Sequence, residues 1–537
     1  MSTALGVVRG LRGRVSTTLG VVRGLRGRLS TALGLVRGRG GLTAYRSFVR
    51  GLRGGLTAYR SFHRSFPLGW AALVACLAIA FLVSSGLWFV ALGLLLAPPA
   101  LVLIHRYPLA AVAIWFVVAP LVAVTDSGGV RQVFWLVHRA LPPGTLVLIA
   151  LAWVTGVSDR RLARLGWAEA MMAGYAVVTT LSIVYTSADP MATWVLSYDR
   201  VVAPMCLYLI VRLLRPTDRD LRRLLPVVVG LLLAESLIAL MSWTVPGLLP
   251  PAWLFEDART TGSFSDPDVF GAAMLFCGLF VLQAGLRSDR WPVGRAAALA
   301  LFTLAMLMGF LTFSRGNWLA TIVVVVGALY VCRDHARLLV SVLLPIGIVL
   351  VGSGLLAGQL ELAGDRLGSP EARESALARL PVAQAAVRML EQKPLIGWGY
   401  GNFDRYSRPF QTRIGDLVDA EKPRSSHNLY LTTLAEQGLV GFGLYVGPAV
   451  YWLVRTRSSS RRMSRSDRRL VWLLWLGVAA FFIVNNFSVM KLSFGLGLYW
   501  LTLGLIGTVV DRYRNAPRPS KPADPRRAPV PAGLGVR

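Results

Sequence analysis

The sequence predicts an all-α fold: a polytopic α-helical integral membrane protein of about 12–14 transmembrane helices, with one long external loop containing short helices. Three observations point there. Of 537 residues, 55% are hydrophobic and only 16% charged, with a mean hydropathy of +0.56, whereas a soluble chain carries about a quarter charged residues. Apolar segments of the roughly 20 residues that a helix needs to cross the hydrocarbon core recur along most of the chain. A transmembrane barrel would show weaker alternating segments of about ten residues instead.

Taken in order, the candidate spans are 68–86, 87–104, 109–125, 142–158, 167–186, 194–214, 224–245, 268–286, 295–313, 317–333, 337–357, 428–454, 469–488 and 491–510. Merging of short neighbours changes this count by about two. The formal net charge is +30, and its distribution separates a membrane reading from a nucleic-acid one. With the N-terminus inside, the arginine-rich loops, such as RLARLG after 160 and RTRSSSRRMSRSDRR from 455, all become cytoplasmic. That is the positive-inside pattern, and it accounts for the charge without nucleic acid.

The chain divides into a basic repetitive cytoplasmic arm (1–67), N-terminal transmembrane helices (68–245), a core (246–454) with the external loop 358–427, C-terminal transmembrane helices (455–510) and a basic cytoplasmic tail (511–537). Residues 1–67 contain 13 Arg and no acid, and MSTALGVVRGLRGR at 1–14 recurs as VSTTLGVVRGLRGR at 15–28. Repeats this short and glycine-rich build no solenoid core. They read as a cationic, weakly amphipathic arm lying on the cytoplasmic headgroups, or else as a disordered extension or a start assigned too far upstream. The four cysteines lie far apart in or beside apolar spans, without disulfide or metal-ligand spacing, so they read as packing residues.

The external loop holds 10 basic and 9 acidic residues, and long translocated segments escape the charge rule. Loops of this length are usually functional. Within it, 375–392 has helical spacing, with Val382, Ala386 and Met389 on one face, and Pro394 with the glycines of GWGYG (397–401) ends that helix.

Four features are candidates for chemistry. Arg259, in RTTGSFSDPDVFGA (259–272), is the one basic residue between Arg223 and Arg287, beside a turn at Gly262 and Pro267, with Asp266 or Asp268 able to cap the next helix. Arg315, in TFSRGNWLA (312–320), sits between two spans, where charge is costly unless paired or functional. His427 stands where the long loop enters a helix, with Glu436 nine residues on; histidine at such a boundary exchanges protons near neutral pH. PLIGWGYGNF (394–403) has no preceding strand, so a glycine-built turn allowing close backbone approach fits it better than a nucleotide loop. Two arginines and a histidine from three segments thus project to one face. Arginine's fork of donors suits phosphate oxygens.

RTTGSF at 259–264, SRG at 314–316, PLIGWGYGNF, and His427, Asn428, Glu436 and Gly438 together resemble the O-antigen ligase family, which is related to lipid-linked polysaccharide polymerases. The likeness is strongest over about 250–450. It implies a membrane glycosyltransferase that passes a glycan from undecaprenyl pyrophosphate to an acceptor hydroxyl, without nucleotide, metal or other cofactor. By position, Arg259, Arg315 and Arg200 would bind the pyrophosphate and His427 would activate the acceptor; Glu436 is expected to orient His427 by proximity. SDPD at 265–268 departs from the family's turn and sets two acids beside a phosphate site. The expected partners are a lipid-linked glycan donor, a glycan, glycolipid or cell-wall acceptor, and the bilayer. The setting is a bacterial cytoplasmic membrane, with termini inside and the site outside. A polymerase shares this donor chemistry. A polysaccharide or lipid-linked sugar transporter is the alternative of another class, and it would show inverted repeats and midplane charges.

Overall fold

The computed structural model describes residues 99, 102–103, 107, 109–122, 135–154, 162–187, 189–254, 259–264, 266–287, 294–341, 344, 348, 379–411, 426–489 and 493–514. The N-terminal arm, the C-terminal tail and the spans expected at 68–86 and 87–104 lie outside them or nearly so, as does most of 337–357. The chain forms two units. In the first (1–107 and 147–161), the Tyr107 N–H donates to the Leu103 carbonyl (2.7 Å). The second (108–146 and 162–537) carries every candidate site residue.

The helices are α1 (Ala110–Val122), α2 (Leu141–Val154), α3 (Trp167–Thr186), α4 (Pro190–Leu214), α5 (Asp218–Thr244), α6 (Pro267–Arg287), α7 (Arg295–Phe310), α8 (Arg315–Val331), α9 (Arg379–Gln392), α10 (Phe403–Tyr406), α11 (Leu429–Ser459), α12 (Arg465–Val484) and α13 (Ser493–Arg512). Seven of the described helices are long and apolar enough to cross a membrane, or eight if α8 and Arg333–Ser341, bent by 88°, form one span. Each of the eleven expected spans that fall on described residues coincides with one of these helices. The protein is a polytopic all-α membrane protein.

Caps written in the sequence start the helices. Thr217 and Asp220 exchange bonds at the head of α5, where Thr217 N–H donates to the Asp220 carboxylate (2.9 Å). Asp189 accepts the Ala192 N–H ahead of Pro190 at α4 (3.0 Å). Ser464 accepts the Asp467 N–H at α12 (3.1 Å).

Two helices are enclosed almost completely: α6 and α13. Small residues bring their neighbours close, as where Gly278 and Gly285 of α6 face Ala305 and Ala298 of α7. Outer helices turn Leu237, Leu240, Ile322, Val326 and Tyr330 outward, an apolar exterior suited to lipid.

Arginines tie one end of the second unit together. Arg212, 2% exposed, donates to Glu169 (2.9 Å) and Asp511 (2.8 Å) and lies over the Trp452 ring (4.8 Å). The Tyr208 hydroxyl also donates to Glu169 (2.8 Å) and accepts from the Trp452 indole (2.9 Å). Arg287 pairs with Asp218 and Asp467, and the Tyr513 hydroxyl donates to Asp467 (2.6 Å). This end gathers the starts of α3, α5 and α12 and the ends of α4, α6 and α13. Removing one member of a buried network leaves its partners uncompensated, so Arg212→Ala is expected to cost about 3–5 kcal/mol. Unfolding of the detergent-solubilised protein measures it, and an unchanged midpoint would show that the network contributes no net stability.

Candidate active site

At the opposite end, the two motifs expected to supply arginines are locked together. Glu235, buried on α5, accepts from the Ser263 N–H (2.8 Å) and the Ser263 hydroxyl (2.6 Å). This holds the RTTGSF turn, where Gly262 has φ +55° and a Cβ would lie 2.3 Å from the Glu235 carboxylate. Asp266 caps α6, accepting from the Asp268 N–H (2.8 Å) and the Val269 N–H (3.2 Å). Asp268 instead accepts the Ser314 hydroxyl (2.5 Å), and Asn317 donates to the Pro267 carbonyl (2.8 Å). Thr260 bonds through its N–H (3.4 Å) and hydroxyl to the Leu311 carbonyl. Of the two acids of SDPD, Asp266 therefore caps its own helix while Asp268 joins the Arg259 and Arg315 segments.

Arg315 is the exposed first residue of α8, after a turn in which Phe313 has φ +50°. Its charge adds to the positive end of the helix dipole. A third guanidinium joins the group. Burial lowers the pKa of Arg379, the first residue of α9, and repulsion from Arg315 and then Arg259 lowers it further, against a raising contribution from Asp268. Arg315, Arg259 and Asp268 thus all lie within electrostatic reach of Arg379. The spacing of residues had marked 375–392 as a helix, but nothing local in the sequence directs its Arg379 to this cluster.

PLIGWGYGNF is docked on a break in α11. Gly438 takes φ +63° and ψ −166° inside that helix, so the hydrogen-bond ladder lapses there. The loop supplies the missing partners. Trp398 and Gly399 N–H groups donate to the Ala435 and Glu436 carbonyls (3.0 and 2.6 Å), while Leu439 and Val440 N–H groups donate to those of Pro394 and Leu395 (2.8 and 3.1 Å). Gly397, φ +65°, permits the approach, because a Cβ there would lie 2.4 Å from the Glu436 carbonyl carbon. The expected close-approach turn is what the structure shows. The helix α9 packs behind it, with Val382, Ala386 and Met389 clustered against Phe403 and Ala435, the face read from the sequence.

The expected partnership of Glu436 with His427 is corrected by this geometry. The Glu436 carboxylate accepts the Phe403 N–H (3.0 Å) and bonds the Gly401 backbone, with Asp404 and Arg200 as its charged neighbours. It is a buried latch on the loop, and Asn428 lies eight helical positions away, about 12 Å along the axis. Arg200 also belongs with this loop. It acts on Tyr400, whose phenol burial pushes up, and it follows Asp199, which pairs with Arg139 (2.5 Å).

His427 is exposed and has φ +49°. The next residue, Asn428, caps α11 by accepting the Tyr430 and Leu431 N–H groups (3.0 Å each) and donates to Asn486 Oδ1 (2.8 Å). The Leu429 N–H reaches the Asn485 carbonyl (2.9 Å). Gly316, beside Arg315, abuts the same turn, its Cβ position lying 3.2 Å from Val484 Cα. Arg315 and His427 therefore flank the 484–487 turn. Of the described non-glycine residues at positive φ, Arg215, Phe313 and His427, two stand here, and such strain concentrates at functional sites. Sequence reasoning missed Glu235, Arg379, Asn485 and Asn486; an acid within an apolar span was the available signal for Glu235.

These features define a class: a multi-spanning membrane protein with a candidate site of strained, arginine-bearing turns at one end of its helices. Residues 298–446 match the family described as O-antigen ligase, which bears out the resemblance. The match supports membrane glycosyl transfer of the ligase or polymerase type. It takes in Arg315, Arg379, His427 and Glu436, while Arg200 and Arg259 precede it. Among curated proteins, none matches the chain.

Because Gly397 needs both positive φ and contact distance, Gly397→Ala is expected to undock the loop. Limited proteolysis in detergent should then cleave 394–411 several-fold faster than in the unsubstituted protein. An unchanged cleavage rate would show that this close approach does not hold the loop.

Proposed function

We propose that the protein transfers a glycan from undecaprenyl pyrophosphate to an acceptor hydroxyl at the outer face of a bacterial cytoplasmic membrane. The observation that carries this reading is the fastening of the Arg259 and Arg315 turns to each other, through Ser314 on Asp268 and Thr260 on the Leu311 carbonyl, with Arg379 within electrostatic reach of both arginines. Guanidinium forks match phosphate oxygens, and positive charge aimed at a departing pyrophosphate stabilises the transition state. The His427 imidazole takes the proton of the acceptor hydroxyl. The acceptor oxygen then bonds to the anomeric carbon, the carbon–oxygen bond to phosphate breaks, and the lipid pyrophosphate leaves against the arginines. The donor and acceptor are glycan-bearing partners, the acceptor being a glycan, glycolipid or wall polymer.

Two assignments follow the geometry rather than spacing. Glu436 is a positioning residue that holds Phe403 and Gly401, and Arg200 supports the same loop beside Tyr400. Sidedness rests on the charge pattern: Arg215, Arg219, Arg222, Arg223, Arg461, Arg462 and Arg465 gather at the end away from the site, and that end is taken as cytoplasmic.

The test is transfer by the purified protein from an undecaprenyl-pyrophosphate glycan to candidate acceptors. Arg315→Ala and His427→Ala should each reduce it by about 100-fold or more while leaving membrane insertion intact. Arg315→Lys should restore little, since one ammonium lacks the bidentate fork, and Arg379→Ala should lower transfer by roughly tenfold. Full activity in Arg315→Ala or His427→Ala would overturn the site, and long chains accumulating on the carrier would identify a polymerase.

Glu436 separates a latch from a base. The amide oxygen of Glu436→Gln still accepts from the Phe403 N–H, so most activity should remain, whereas Glu436→Ala should lose it together with protection of 394–411 from protease. Loss of transfer in Glu436→Gln with protease protection intact would instead make the carboxylate's charge essential.

A further inference from the structure

The helices α11 and α12 are consecutive, and they meet through isolated contacts, the Trp475 indole donating to the Thr456 hydroxyl (3.0 Å) and the Tyr430 hydroxyl to the Phe482 carbonyl (2.7 Å), rather than by close packing of their backbones. The helix α11 lies against α3 and α13, and α12 against α8, α6 and α13. Between them, with α8 as the third wall, is an open crevice of about 1170 Å³, above the roughly 300–1,000 Å³ of small-ligand clefts. Its lining on α12 runs from Arg465 to Ile483, eighteen positions or about 27 Å, close to the thickness of the hydrocarbon core. The walls are apolar, with Val450, Leu453, Leu476 and Ala479 among them.

The mouth at the arginine-rich end is of opposite character. Arg333, Arg465 and Arg468 line it, all exposed and with no ion pair among the described residues, together with His335. Arg469 is already occupied, donating to Gln283 (3.1 Å) and to the Leu286 carbonyl (2.6 Å). Asp334 is the one acid in the lining. Three available guanidiniums above an apolar slot in a membrane helix bundle ask for an anionic headgroup attached to long hydrocarbon.

We propose that this crevice is a binding site for a diacyl anionic phospholipid. Its headgroup phosphate is held by Arg333, Arg465 and Arg468, and its acyl chains fill the gap between α11 and α12. A zwitterionic headgroup would set its ammonium among three guanidiniums, so the site selects a headgroup without one. Its headgroup end lies away from Arg315 and His427, while its apolar walls reach Ile483 beside the 484–487 turn; the proposal does not depend on the transfer reaction.

The experiment uses the full chain in mixed micelles with phosphatidylglycerol or phosphatidylcholine carrying brominated acyl chains, which quench tryptophan on contact. Trp472 lines the crevice, so the signal is the part of the quenching that Trp472→Phe removes. Phosphatidylglycerol is expected to reach half-quenching at a mole fraction at least about fivefold below that of phosphatidylcholine, a preference worth roughly 1 kcal/mol. Arg333→Ala/Arg465→Ala/Arg468→Ala should abolish the preference, with thermal unfolding confirming that the variant is folded. Equal half-quenching by the two lipids, or no signal lost in Trp472→Phe, overturns the proposal. Relief of quenching by undecaprenyl phosphate at a lower mole fraction than by unbrominated phosphatidylglycerol would assign the crevice to a polyprenyl chain and overturn the diacyl lipid.

Discussion

The constraint on which the site depends is the break in α11 at Gly438. A helix within a membrane protein cannot leave backbone groups unsatisfied, because no water is at hand to bond them. At the break, two carbonyls and two N–H groups find their partners in residues 394–399, so the loop is a structural complement of the helix. Placement then propagates outward. The loop fixes Phe403, whose N–H meets Glu436, and Phe403 with Ala435 forms the floor on which α9 lies. The first residue of α9 is Arg379. A backbone irregularity in one helix thereby sets the position of a guanidinium contributed from outside the spans.

A second constraint is electrostatic. Bringing Arg379 within reach of Arg315 and Arg259 costs energy that surface water would normally screen, and burial removes part of that screening. The scaffold bears the cost by rigidity. Glu235 locks Ser263, Asp266 locks the start of α6, and Asp268 locks Ser314. Carboxylates that spacing alone would have set against a phosphate are thus committed as fasteners of the arginine-bearing turns.

What was legible in the sequence follows from what is local. Hydropathy marks each span by its own composition, so the spans that fall on described residues coincide with helices. The Val382, Ala386 and Met389 face was legible because helical periodicity is local, and so was the close approach at GWGYG, since glycines at that density have few other uses. The partners of Glu436 were not. Nine residues along a helix is a short distance in sequence and about two and a half turns in space, while the true partner, Phe403, is 33 residues away. Arg379 and the Asn485–Asn486 turn escaped for the same reason. Their places are set by docking between segments, and no periodicity records that.

The two ends of the second unit use arginine in different ways, and the difference carries the functional argument. At the far end, Arg212 has two carboxylate partners and an aromatic face, and Arg287 has two carboxylates. These charges are neutralised within the fold, as buried charges must be if the helices are to stay together. At the site end, the carboxylate that acts on Arg379 is Asp268, which is already bonded to Ser314, and both Arg315 and Arg259 add repulsion. In the proposed reading, these arginines, held on turns fastened by Asp266 and Asp268, receive an anion supplied from outside the chain. On that reading, the company the arginines keep, more than their number, distinguishes the proposed site from the clamp at the far end.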